Sequence, residues 1–120
     1  GVDIPRFLYR PEGLEFKDYN ISKDFEYALL QYNYNDTIMT LYINKYDKET
    51  KSTGASLDGK EIETIKLPER EASIQVKRIM AKGDKKASYV AYWNNSTEFY
   101  QIESQMEEQE FIKLIKNIKF

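Results

Sequence analysis

Carboxylates are the residues here with the most chemistry to offer. The chain has 20 Asp and Glu against 18 Lys and Arg, with no His and no Cys. A suitably spaced Glu pair can hydrolyse a glycosidic bond, one as acid and one as base or nucleophile. Glu61 and Glu63 are expected on one strand face, while Glu107, Glu108 and Glu110 open a helix. Neither group stands out from ordinary solvated charge, and we expect no catalysis. Without His, the usual proton carrier at neutral pH and the commonest metal ligand are missing. Without Cys there is no thiolate nucleophile, no disulfide framework and no thiolate zinc site. The polar stretch "NKYDKETKSTGASLDGK" lacks the spacing of clustered Asp residues that an oxygen-ligand cation loop needs. No cofactor and no metal are expected.

Aromatic side chains are the other candidates. "ASYVAYWNNSTEFYQIES", residues 87 to 104, holds the sole Trp among five aromatics. With Asn95-Ser96 as a two-residue loop, Asn94 pairs with Thr97. Tyr89, Ala91, Trp93, Tyr100 and Ile102 then share a core face, with Glu98 intruding near the turn. The other face takes Ser88, Val90, Tyr92, Phe99, Gln101 and Glu103. Tyr92 and Phe99 fall directly opposite each other in that register, a stabilising cross-strand pair.

A second hairpin, "DFEYALLQYNYNDTIMTLYINKY", turns at Asn35-Asp36, residues tolerant of the positive φ of a type I′ loop. Tyr34 pairs with Thr37. Ala28, Leu30, Tyr32, Met39, Leu41 and Ile43 then form an apolar face, and Tyr27, Leu29, Gln31, Ile38, Thr40 and Tyr42 take the other. A one-residue slip would scramble that division. The contact face for a ligand or partner is therefore expected at Tyr27, Tyr42, Tyr92 and Phe99.

The remaining elements support these two hairpins. Arg10-Pro11-Glu12-Gly13 suits a type I turn, followed by a strand over residues 14 to 19. Residues 47 to 60 form a polar loop, and Asp58-Gly59 signals a turn. Strands are expected over residues 61 to 67 and 72 to 80, the latter with Ile74, Val76 and Met80 on one face. Gly83-Asp84 turns the chain into the Trp hairpin. Ser104 and Glu107 form an S-x-x-E capping box. Phe111, Leu114, Ile115 and Ile118 then follow at helical spacing, predicting an amphipathic helix over residues 105 to 119 that packs on the core. The four Asn-x-Ser/Thr sequons, at Asn20, Asn35, Asn94 and Asn95, are read as turn chemistry where they sit at hairpin loops.

The fold expected is α+β: a curved, mainly antiparallel sheet of about six or seven strands, with a C-terminal amphipathic helix packed on one face. The 120 residues suit a single globular domain, residues 1–120. A net charge of −2 without a basic stripe argues against nucleic-acid binding. No apolar run is long enough to insert into a membrane. Opening on Gly1 without Met leads us to expect that an N-terminal leader or membrane anchor has been removed.

Four segments together resemble a known family: "YRPEGLEF", "ALLQYNYND", "VAYWNNSTEFYQIES" and "MEEQEFIKLIKNIKF". The resemblance is to the bacterial domain of unknown function 4367, found outside the cytoplasm of Gram-positive bacteria in lipoproteins and anti-sigma-factor-like membrane proteins. Pro11, Gly13, Gln31, Trp93, Tyr100, Ile102, Glu107, Glu108 and Leu114 match its pattern. Asp58-Gly59-Lys60 and Pro68-Glu69-Arg70 depart from it. The resemblance implies a non-catalytic, extracytoplasmic sensing or binding domain, anchored to the membrane or to lipid, with an unknown protein or small ligand as partner. The alternatives are a carrier holding a lipid or apolar ligand between sheet and helix, and a carboxylate-dependent enzyme. The carrier likeness is one of fold.

Overall fold

The computed structural model describes residues 5–22, 27–45, 59–67, 72–80, 83–94 and 98–119. Seven strands form one antiparallel sheet: β2 (Leu14–Ile21), β3 (Tyr27–Tyr34), β4 (Thr37–Lys45), β5 (Lys60–Leu67), β6 (Ala72–Ile79), β7 (Ser88–Asn94) and β8 (Glu98–Ser104). Their order is β2-β3-β4-β8-β7-β6-β5. Two meanders, β2 to β4 and β5 to β8, thus join along β4 and β8. A short helix, α1 (Glu108–Lys116), follows. A two-stranded ribbon of β1 (Arg6–Phe7) and β9 (Ile118–Lys119) completes the described fold. The architecture is α+β and mostly strand.

The first hairpin has the expected register, with Tyr34 opposite Thr37 and Leu30 opposite Leu41. Ala28, Leu30, Tyr32, Met39, Leu41 and Ile43 are all buried. The turn differs in type. Asn35 has φ 53°, and it is the one non-glycine residue at positive φ among those described. A type I′ loop needs positive φ at both positions, so this loop is not one.

The Trp hairpin keeps its expected faces but not its register. Trp93 pairs with Tyr100 and Asn94 with Phe99. Compared with Asn94 opposite Thr97, this is a slip of two residues, which preserves the side of the sheet each side chain occupies. The expected Asn95-Ser96 loop lies outside the described residues. The slip has a physical reason. The tight loop would set Trp93 against Glu98, whereas the observed pairing stacks Trp93 on Tyr100 with centroids 5.0 Å apart and planes 5° apart. Glu98 instead accepts a hydrogen bond from the Tyr100 hydroxyl. Tyr92 and Phe99 are consequently not opposite each other: Tyr92 faces Gln101.

Further local expectations are corrected. The turn after Arg10 starts one residue later, closed by the Leu14 N–H on the Pro11 carbonyl at 3.1 Å. Gly13, at φ 89°, then occupies the third position, as a type II turn requires. Met80 lies beyond the end of β6 and is exposed, apart from Ile74 and Val76. Glu61 and Glu63 do not share a face. A register shift between them sets Glu61 opposite Lys77 and Glu63 opposite Val76. Glu63 reaches toward the helix, 3.4 Å from Lys116. A second shift interrupts β2 between Phe16 and Asp18. Both edge strands therefore carry a bulge beside charged residues, a feature that discourages strand addition.

The C-terminal helix is shorter than expected, and its capping box does not form. Ser104 is still paired with Tyr89 in the sheet, so the helix cannot begin there. Its hydroxyl accepts from the Met106 N–H at 3.3 Å. Glu107 takes the N-cap position without a side-chain capping bond. At the far end the Asn117 amide donates to the Lys113 carbonyl at 2.8 Å. Ile118 belongs to the β1–β9 ribbon, opposite Phe7.

A nine-residue helix cannot cover a seven-stranded face alone. It buries Phe111, Leu114 and Ile115, with the Phe111 ring 5.9 Å from Tyr89. The ribbon extends the cover: Phe7 packs edge-on against Tyr32, centroids 5.7 Å apart.

Two tyrosines tie α1 down. The Tyr9 hydroxyl donates to Glu110 at 2.5 Å and the Tyr34 hydroxyl to Glu107 at 2.7 Å. The bond to Glu107 pushes Tyr34 up from the ordinary 10.0 to about 12, aided by burial and nearby carboxylates. The same bond holds Glu107 below its ordinary 4.5. Glu107 thus adds stability above 4.5 that is lost as pH falls through its depressed value. Tyr34 adds stability below 10.0 that is lost as pH rises through about 12. In Tyr34→Phe, the melting temperature should depend less on pH in both windows than in the parent. Coincident profiles would refute the bond.

Candidate functional site

With one face covered, the other takes its character from the cross-strand register. Side chains directly opposite on neighbouring strands stand side by side. From β3 to β5 one row reads Leu29, Tyr42, Gln101, Tyr92, Gln75 and Thr64, each opposite the next. All are half-buried except Thr64, which is exposed. The Thr64 hydroxyl donates to Gln75 Oε1 at 3.0 Å. The row carries no formal charge. The parallel row beside it does: Glu103 faces Thr40 and Val90, and Lys77 faces Val90 and Glu61.

Three of the four expected contact residues converge on this face. Tyr27 and Tyr42 lie ring to ring, 6.4 Å apart and tilted by 31°. Tyr42 and Tyr92 flank Gln101 from opposite sides. The Lys77 ammonium sits 5.4 Å from the centre of the Tyr92 ring, within the range of a cation–π contact. The fourth, Phe99, stands between Asn44 and Asn94. It is 6% exposed and presents almost no surface.

The face continues into an open cleft of about 560 Å³ near the β3–β4 turn. Ile38 and Thr40 of β4, Ser88 of β7 and Glu103 of β8 line it, with Asp36 and Gln105 at its end. A smaller cleft of about 200 Å³ shares Asp36, Thr37 and Gln105 and adds Lys85 and Lys86. Together the two clefts offer hydroxyls, amides and charges of both signs, groups that can hydrogen-bond a polar ligand. Among the described residues no group of three His, Cys, Asp or Glu side chains could hold a metal ion.

Gln101, Gln75, Thr64, Glu103 and Ser88 are the site residues that sequence reasoning missed. The alternation within β8 already put Gln101 and Glu103 on the same side as Phe99. What it lacked was the neighbour: the pairing of β4 with β8 joins residues near position 42 to residues near 101, with no connecting turn to set the register.

No curated protein and no solved structure matches the chain. The family model of the domain of unknown function DUF4367 matches residues 4–118, nearly the whole length, and the chain therefore belongs to the DUF4367 family.

Proposed function

We propose that this domain is a non-catalytic binding and sensing module on the outer side of a Gram-positive cell, part of a lipoprotein or membrane-anchored protein. It meets its ligand with the sheet face opposite the helix. The observation that carries this reading is the uncharged Tyr42–Gln101–Tyr92–Gln75 row, half-exposed and in register across four strands. In a chain with 32% charged residues, such a row is unusual on a water-facing surface. The extracytoplasmic setting comes from the sequence resemblance and is part of the proposal.

The carrier alternative requires an apolar cavity of at least ~300 Å³ between sheet and helix. Met39, Leu41, Tyr100, Ile102, Phe111, Leu114 and Ile115 are all under 2% exposed. A water-sized sphere scarcely touches any of them, so they line no such space.

Tyrosine-selective labelling tests the binding face. Fragments of Gram-positive envelope should protect Tyr42 and Tyr92 while Tyr19, on the edge strand and 61% exposed, stays reactive. Equal labelling with and without envelope would overturn the reading.

A further inference from the structure

We propose that the ligand of this face is an extended, uncharged glycan chain, lying across β4, β8, β7 and β6 with sugar rings on Tyr42 and Tyr92. The proposal rests on the binding reading above and assigns its ligand class.

The chemistry of the row carries the assignment. A sugar ring has an apolar C–H face and a rim of hydroxyls that both donate and accept. Aromatic rings attract C–H groups through their negative faces. Amide side chains offer a donor and an acceptor together. The row alternates these two functions: Tyr42, Gln101, Tyr92, Gln75. Tyr42 and Tyr92 are two strands apart, about 10 Å at the usual strand spacing. That leaves room for one ring over Gln101 between two rings stacked on tyrosines. The platforms are also pre-set: Tyr42 leans on Tyr27, 6.4 Å away, and both ladder tyrosines are half-buried. Little side-chain freedom remains to be lost on binding.

Other ligand classes fit less well. Single-stranded nucleic acid also stacks on aromatic rings, but it needs a cationic groove along its phosphates. One cation reaches this row, Lys77 at 5.4 Å from the Tyr92 ring, and it stands opposite Glu61, so no line of cations follows the row. A protein partner would anchor on Trp, Tyr and Arg clustered in well-packed, desolvated pockets. Here the two tyrosines are separated by an amide along the row, which holds no Trp and no Arg.

The test is calorimetric titration with neutral β-1,4-linked glucose and N-acetylglucosamine hexasaccharides, their disaccharides, and an oligothymidylate. The hexasaccharide of one series should bind at least about tenfold more tightly than its disaccharide, because the disaccharide cannot span both platforms. Tyr42→Ala and Tyr92→Ala should each weaken it by about tenfold. Tyr42→Phe and Tyr92→Phe, which keep the ring, should bind nearly as the parent does. Unchanged melting temperatures in the Ala variants separate lost contact from lost fold. Absence of binding by every neutral hexasaccharide, binding indifferent to Tyr42→Ala and Tyr92→Ala, or preference for the oligothymidylate would each overturn the glycan assignment. If envelope fragments still protect Tyr42 and Tyr92 in that case, the binding face stands and only the ligand class is wrong. If protection is also absent, both readings fail.

Discussion

Phe111→Ala should lower the unfolding free energy by about 3–5 kcal/mol. Domains of this size are stable by about 5–15 kcal/mol, so the loss is a large part of the whole. Phe111 is fully buried and its ring lies 5.9 Å from Tyr89. The helix that carries it has nine residues, too few to hold its shape in water alone. Three of its side chains are buried, so removing the largest leaves Leu114 and Ile115 to hold the element against the sheet. Urea unfolding can be followed by Trp93, the sole tryptophan and 3% exposed. Its emission should move to longer wavelength as the core opens, at a much lower midpoint in Phe111→Ala. Ile112→Ala, at a half-buried position, should shift the midpoint far less. Equal midpoints for Phe111→Ala and the parent would mean that the helix is not docked through Phe111.

Gly13→Ala should destabilise through two separable effects. The backbone of Gly13 lies at φ 89°, where an L side chain costs on the order of 1–3 kcal/mol. A Cβ there would also lie 2.3 Å from Asn35 Oδ1, which must move. That closeness arises because Gly13 accepts from the Asn35 N–H at 3.4 Å, joining the first turn to the β3–β4 loop. Asn35→Gly removes the obstructing side chain and tolerates φ 53° without strain. Adding it to Gly13→Ala should therefore restore part of the stability and leave the backbone cost. A strictly additive pair would show that the clash contributes nothing.

These two positions also differ in how readable they were. Phe111 declares itself by helical spacing with Leu114 and Ile115. Gly13 announces a turn beside Pro11, but the turn begins one residue later than the Pro position alone suggests, and nothing local reveals Asn35 as its neighbour. The Glu61–Glu63 pair misleads for a similar reason. Strand alternation puts both on one side, and a bulge separates them. Ser104 carries a capping signature, yet its pairing with Tyr89 holds it in the sheet. In each case a local preference of about 1 kcal/mol yields to a sheet that gains from every pair it keeps.

The candidate site divides along the same line. Alternation along each strand decided which side of the sheet Tyr27, Tyr42, Tyr92 and Gln101 occupy, because that depends on parity alone. Even the two-residue slip of the Trp hairpin left every side chain on its expected side. The identity of neighbours is another matter. That Gln101 stands between Tyr42 and Tyr92, and that Phe99 is buried, follows from how β4, β8 and β7 align. That alignment is chosen by packing: Trp93 on Tyr100 within the hairpin, and Leu41 beside Ile102 from distant parts of the chain. The one-dimensional pattern determined the two faces. Only the three-dimensional register turned scattered aromatics and amides into a row, because register is a property of the summed packing of all seven strands and not of any one of them.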